Sequence, residues 1–211
     1  MHRRSFLALS LATPAALVTG PALADGVTDA LDKIAAARAS VKTIVAPFMQ
    51  VRTIGLLASD VASNGEVTVV RPDQLRWDVS PPDAITYWVL PEGLYMKSSS
   101  SSKAVKAPPN AGNLGGVLGD VLLFVGGDLR KLADRYDLRV TSTEGGVGLE
   151  AKPKSDETRK VVSRVELKTT ADLWAISRFT IEEASGDRSV VSFGEAKRDT
   201  SVDPSKMKPP V

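Results

Sequence analysis

The chain has 211 residues, with 27 Lys and Arg against 25 Asp and Glu, a single histidine and no cysteine. Without cysteines, and with His2 alone, disulfides, thiolate nucleophiles, histidine-dependent triads and nearly every zinc, copper or haem site are excluded. So near-neutral a balance, with no long basic run, argues against a nucleic-acid partner, because phosphate neutralisation takes clustered Lys and Arg.

Residues 1–24 read as an export signal. Arg3 and Arg4 precede an apolar run from Phe6 to Val18 that is too short to span a bilayer, and Ala22-Leu23-Ala24 supplies a small-residue cleavage site. Arg-Arg-Ser-Phe-Leu also fits a twin-arginine signal, so the folded and unfolded export routes both stay open. Cleavage after Ala24 leaves 187 of the 211 residues, with bases and acids balanced at 25 each and the histidine gone. That length suits one domain with its own core. The expected product is an exported, periplasmic, monomeric protein.

The first element is a helix from Val27 to about Lys42, with Val27, Leu31, Ile34, Ala35, Arg38 and Val41 on one stripe. A strand follows around Phe48 to Arg52. In Gly65 to Pro82 the alternation is strong: Val67, Val69, Leu75 and Trp77 share one parity, and Arg71 falls on that same apolar side. Pro72 breaks the strand there. Arg71 either snorkels past the core edge or does work at the rim of an apolar surface. Ile85 to Leu90 carries apolar residues at both parities, which predicts burial on both faces, and Leu94-Tyr95-Met96 returns after Pro91-Glu92-Gly93.

Residues 98–113 have the composition of a flexible loop. Leu114, Val117, Leu118, Val121, Leu122 and Val125 then recur at helical spacing, and a second helical piece is expected from Asp128 to Arg135. The stripe fits either an ordinary core helix or a cover. Beyond it the chain alternates: Leu138 and Val140, Val147 to Ala151, Val165 and Leu167, then Phe179 and Ile181 set against Val191 and Phe193. Such hairpins make an antiparallel sheet with one dry face. The expected fold is α+β: a single curved antiparallel sheet, an unclosed half-barrel of about ten strands, with about three short helices over an apolar cavity.

No nucleophile elbow, Walker loop or EF-hand spacing is present, so a non-enzyme with no catalytic residues, cofactor or metal is expected; a carboxylate-based hydrolase is the residual option.

Gly65-Glu66-Val67-x-Val69-x-Arg71-Pro72-x-x-Leu75-Arg76-Trp77, the Phe48-x-Gln50 strand after the first helix, and the ending from Ser185-Gly186-Asp187 to Val202-Asp203-Pro204 together resemble the LolA family of periplasmic lipoprotein carriers. The resemblance runs in order over residues 28 to 210. It departs at Leu94-Tyr95-Met96, where the family is more aromatic, and near Met207, where a phenylalanine is usual, so the last edge strand is expected to be short or missing.

The resemblance implies a carrier that binds lipoprotein acyl chains and escorts them between the inner and outer membranes. It would be loaded by an ATP-driven inner-membrane release complex and unloaded by an outer-membrane receptor. It implies a lipid cavity lined by Val67, Val69, Leu75, Trp77, Met96, Leu118, Val121, Leu122 and Val125. Arg71 would be the lid latch, donating to free carbonyls at the ends of the 114–125 helix. Two alternatives stand beside this reading: a carrier or sensor of another lipid, and a non-catalytic interaction module of an envelope complex.

Overall fold

Alternation of apolar and polar residues along successive runs builds one large sheet. The computed structural model describes residues 22–107 and 120–211, with side chains from residue 26. Helix α1 (Ala22–Arg38) leads into β1 (Thr43–Thr53), β2 (Val61–Val70), β3 (Gln74–Val79), β4 (Ile85–Leu90), β5 (Gly93–Ser98) and the two-residue β6 (Val105–Lys106). A helical segment at 120–125 (α2) and a 3-10 turn (Leu129–Asp134) precede β7 (Tyr136–Ser142) and β8 (Gly148–Pro153). A single-turn helix α3 (Asp156–Arg159), β9 (Val162–Thr169), β10 (Ile176–Glu183), β11 (Arg188–Phe193), β12 (Lys197–Arg198) and a second 3-10 turn (Pro204–Met207) complete the order.

The strands form a 12-stranded antiparallel sheet in the order β6-β5-β4-β3-β2-β1-β11-β10-β9-β8-β7, with β12 also paired to β1. The terminal strands β6 and β7 do not meet, so the sheet is open. Two meanders of local hairpins are joined through the pairing of β1 with β11, which aligns Phe48 with Phe193 and Gln50 with Val191. The expected register of the last hairpin is half right. Phe179 opposes Val191, but Ile181 opposes Ser189, and Phe193 turns to β1. Alternation fixes which face a side chain takes but not which strand lies beside it.

One face of the sheet is dry and carries the helices. Ala30, Leu31 and Ile34 of α1, Val121, Phe124 and Val125 of α2, and Leu129 and Leu132 of the 3-10 turn join the strand residues in one core. The expected helix from Val27 to Lys42 stops at Arg38, and its stripe residues Leu31, Ile34, Arg38 and Val41 are buried. The expected cleavage point after Ala24 lies in the first turn of the described helix. Residues 1–21 fall outside the described residues.

On the other face β4 puts Trp88 and Leu90, each under 9 % exposed, beneath the C-terminal tail. Trp88 Nε1 and Arg76 Nη1 both donate to Lys206 O, at 2.9 and 2.8 Å, and Met207 is buried. The chain end is tied to the 98–107 segment, where Ala104 N–H donates to Pro210 O at 2.6 Å. Burial of β4 on both faces is thereby met by different layers: core on one side, tail on the other.

Candidate functional site

Cross-strand register lines up side chains on the dry face into continuous rows. One runs from Val67 through Trp77, Tyr87 and Met96 to Val105, each opposite the next on the neighbouring strand. Along it, burial gives way to exposure: Val67 is fully covered, Trp77 is 5 % exposed, Tyr87 and Met96 are half-buried, and Val105 is 62 % exposed. The row of Val69, Leu75, Val89 and Leu94 runs beside it. Burial pushes the Tyr87 phenol above its ordinary range, consistent with an apolar setting.

At the covered end Trp77 sits in an aromatic cluster. Its ring centroid lies 4.1 Å from that of Phe48, 6.3 Å from Phe179 and 6.1 Å from Phe193. Gly65 makes the closest contact possible: a Cβ there would strike Asp78 O and the edge of the Phe48 ring. Of the expected cavity residues, Val67, Val69, Leu75, Trp77, Val121 and Val125 are buried in one core, and Leu122 is half-buried against it. Met96 is placed on the same face by register, and Leu118 lies outside the described residues.

The structure corrects the expected cavity at its centre. The wall around Val67, Val69, Leu75 and Trp77 is filled by the chain's own side chains, Val121, Phe124 and Val125 of α2 among them. Gly126 brings the end of α2 so close to β2 that a Cβ would overlap Val69 Cγ1. At the β4–β6 end of the face Tyr87, Leu94 and Met96 are left partly open, as are Leu138 and Val140 at the β7 end. A cavity of about 520 Å³ does exist, but it opens on the other face between the tail and the sheet. It is lined by Val70, Leu90, Met207 and Pro209 with Lys42 and Asp199, and contains none of the expected residues.

The latch chemistry is present in a different arginine. The last carbonyls of a helix have no partner within it, and Arg38, 1 % exposed, reaches those of α2 from the last turn of α1. Its Nη2 donates to Phe124 O at 3.3 Å, Nη1 to Gly127 O at 3.0 Å and Nε to Trp174 O at 3.1 Å. Burial, then the neighbouring Arg71 guanidinium, against a smaller opposing pull from Asp128, push its pKa down to about 10.

Arg71 instead donates through Nη1 to Arg38 O and, at 3.1 Å, to Val41 O, where α1 ends. The two arginines act in series: Arg71 fixes the end of α1, and Arg38 holds α2 from it. The contact expected of Arg71 with the 114–125 helix is thus made, at the described end of that helix, by Arg38. The signal was in the sequence, since an arginine interrupts the apolar stripe of the first helix.

At residue 120, the other end of the described helix, Tyr136 Oη and Arg135 Nη1 both donate to the buried Asp120 carboxylate. Burial raises the Asp120 pKa more strongly than these two donors lower it. Tyr136 is in turn pushed well above the phenol range by burial and by the carboxylate. So the described part of α2 is held by polar contacts at residue 120 and at its C-terminal end, with Val121, Phe124 and Val125 packed between them.

No protein-family model matches the sequence, and no curated protein matches it. Solved structures do. A DUF1329 family protein from Desulfovibrio piger superposes with a TM-score of 0.53 at 11 % identity, covering 86 % of this chain and 97 % of that one. MucB does so with a TM-score of 0.50 at 15 % identity, covering 87 % of this chain and 62 % of that one. A LolA superfamily protein from Nitrosomonas europaea gives 0.47 at 12 % identity, covering 85 % and 96 %. At such identities the likeness is one of fold alone, carried by the DUF1329 family protein and MucB.

Proposed function

We propose that this protein is a non-catalytic periplasmic lipid carrier that takes acyl chains on the dry face of its half-barrel, beneath and beside α2. The observation that carries the reading is the row from Trp77 through Tyr87 and Met96 to Val105, an apolar track that begins in the core and emerges partly exposed.

Magnitudes set what such a face can hold. Each buried methylene gains about 0.8 kcal/mol, and uncovering Val121, Phe124 and Val125 costs roughly 2 kcal/mol apiece. A chain that buries about eight methylenes therefore offsets the loss of the α2 side chains and longer ones exceed it, before the polar clamps are counted. A membrane offers the same gain per methylene, so a carrier of this kind is loaded and unloaded by partners and not by affinity alone. In the lipoprotein reading, an inner-membrane ATP-driven complex supplies the acylated cargo and an outer-membrane receptor takes it.

A second reading, a carrier or sensor of another lipid, is favoured by the filled wall. A single chain laid along Tyr87, Met96 and Val105 would leave α2 in place, whereas the several chains of a lipoprotein would need α2 displaced. Mass spectrometry of lipid copurified with the exported protein separates the two: a triacylated peptide supports lipoprotein transport, a one- or two-chain lipid supports the other. Protein free of any acylated molecule after purification without detergent sinks both.

A further inference from the structure

The largest exposed apolar side chain among the described residues is Leu56, 97 % exposed, at the tip of the β1–β2 hairpin. Leu57 beside it is 50 % exposed and Val61, where β2 begins, 43 %. Pairing of β1 with β2 ends at Arg52 and Val61. The connecting segment, Ile54 to Asp60, holds one charged residue, Asp60, at its far end beside Val61.

Hydrogen bonds at its root hold the tip outward. Leu57 N–H closes a turn on Ile54 O at 2.9 Å, and Gly55 N–H donates to Asp187 Oδ1 at 3.0 Å from the β10–β11 turn. Below it Arg52 pairs with Glu183 at 3.0 Å and reaches Asp187 at 4.0 Å. A polar root on two neighbouring hairpins thus presents two leucines to water, at the end of the sheet away from Arg71.

We propose that this hairpin tip is a membrane-contacting wedge that inserts Leu56 and Leu57 into the interfacial region of a bilayer. A stable protein interface buries about 800 Å² on each partner, far more than a convex tip of two leucines with Ile54 and Val61 supplies. A fluid bilayer needs no complementary wall, and interfacial binding scales with buried apolar area. The tip carries no cluster of Lys or Arg, so zwitterionic lipid suffices. The rigid root also means that little ordering is lost on insertion. The inference does not rest on the acyl-chain reading: a carrier that never touches a membrane, or a membrane-bound protein that carries nothing, would each be a coherent result.

The test is cosedimentation of the purified protein with phosphatidylcholine vesicles and, separately, with phosphatidylglycerol vesicles, comparing it with Leu56→Ser/Leu57→Ser. The wild type is expected to bind both vesicles with little dependence on salt, and the double variant to lose at least about tenfold in partitioning. Its melting temperature should stay unchanged, because neither leucine is part of the core. A second variant, Leu56→Trp, should shift its emission to the blue on phosphatidylcholine. No binding by the wild type, binding only to the anionic vesicles with loss in salt, or equal binding by the double variant would overturn the proposal.

Discussion

Replacing Arg38 by methionine is the sharpest test of how α2 is held. The substitution keeps the length of the side chain and removes three donors, leaving Phe124 O, Gly127 O and Trp174 O without the partners they have now. Hydrogen bonds from a charged donor contribute about 1.5–3 kcal/mol each, so the three together are worth roughly 6 kcal/mol. Against this stands the burial of an unpaired cation, visible in a pKa pushed down to about 10, which costs on the order of 3 kcal/mol. The balance is a loss of about 3 kcal/mol, or a melting temperature lower by roughly 10 °C in a domain of this size. Circular dichroism melts measure the second number. Hydrogen exchange at amides 121–127 locates the effect, which should be faster there than in β9 and β10. A melting temperature within about 2 °C of wild type, with unchanged exchange in α2, would refute the clamp.

Three further outcomes follow from single contacts. Gly126→Ala places a methyl group against Val69 Cγ1 and should cost about 1–3 kcal/mol by overpacking. Val69→Ala in the same chain should recover at least about 1 kcal/mol of the combined loss, which a double-mutant cycle in urea reads directly. Asp120 has a folded-state pKa raised by burial above its ordinary 3.8, so the folded protein binds its proton more readily than the unfolded one. Its contribution to stability is therefore least favourable at neutral pH and improves as the pH falls through the folded value towards 3.8. The difference in stability between Asp120→Asn and wild type should shift in favour of wild type as melts are taken from pH 7 to pH 4; a difference independent of pH would contradict this. On the other face, Met207→Ala should cost about 2–3 kcal/mol and free Trp88 to water, seen as a red shift in its emission; an unchanged spectrum would show that the tail does not cover it.

Much of the architecture could be read from residue order. Strict alternation in 138–193 and in 65–78 gave strands with the right faces, and the doubled apolar pattern of Ile85 to Leu90 correctly indicated two covered faces. The pairing of β1 with β11, which makes two meanders into one sheet, could not be read, because face and neighbour are independent. The single-turn α3 was missed, and residues 98–113, expected as loop, contribute the short β6 at Val105–Lys106. The inner parity of Val67, Val69, Leu75 and Trp77 was legible, but their covering was not: a helical stripe at 114–125 has the same spacing whether it lids a void or fills it. Arg71 drew attention by breaking a strand's apolar parity. Arg38 breaks a helix's stripe in the same way, yet a long side chain on a helix is readily taken to snorkel, and only the tertiary placement of α2 shows where its donors go.

In the proposed carrier, acyl chains lie on the dry face along Trp77, Tyr87 and Met96. A photoactivatable fatty acid with a diazirine along its chain, cross-linked to the purified protein and mapped by peptide mass spectrometry, tests it most directly. Labelling is expected in β3 to β5, residues 74–98, weakened at least about tenfold by Met96→Glu, which places a carboxylate in the apolar track. Labelling confined to residues 199–209 around the cavity on the opposite face, or none above that of a denatured control, would contradict it.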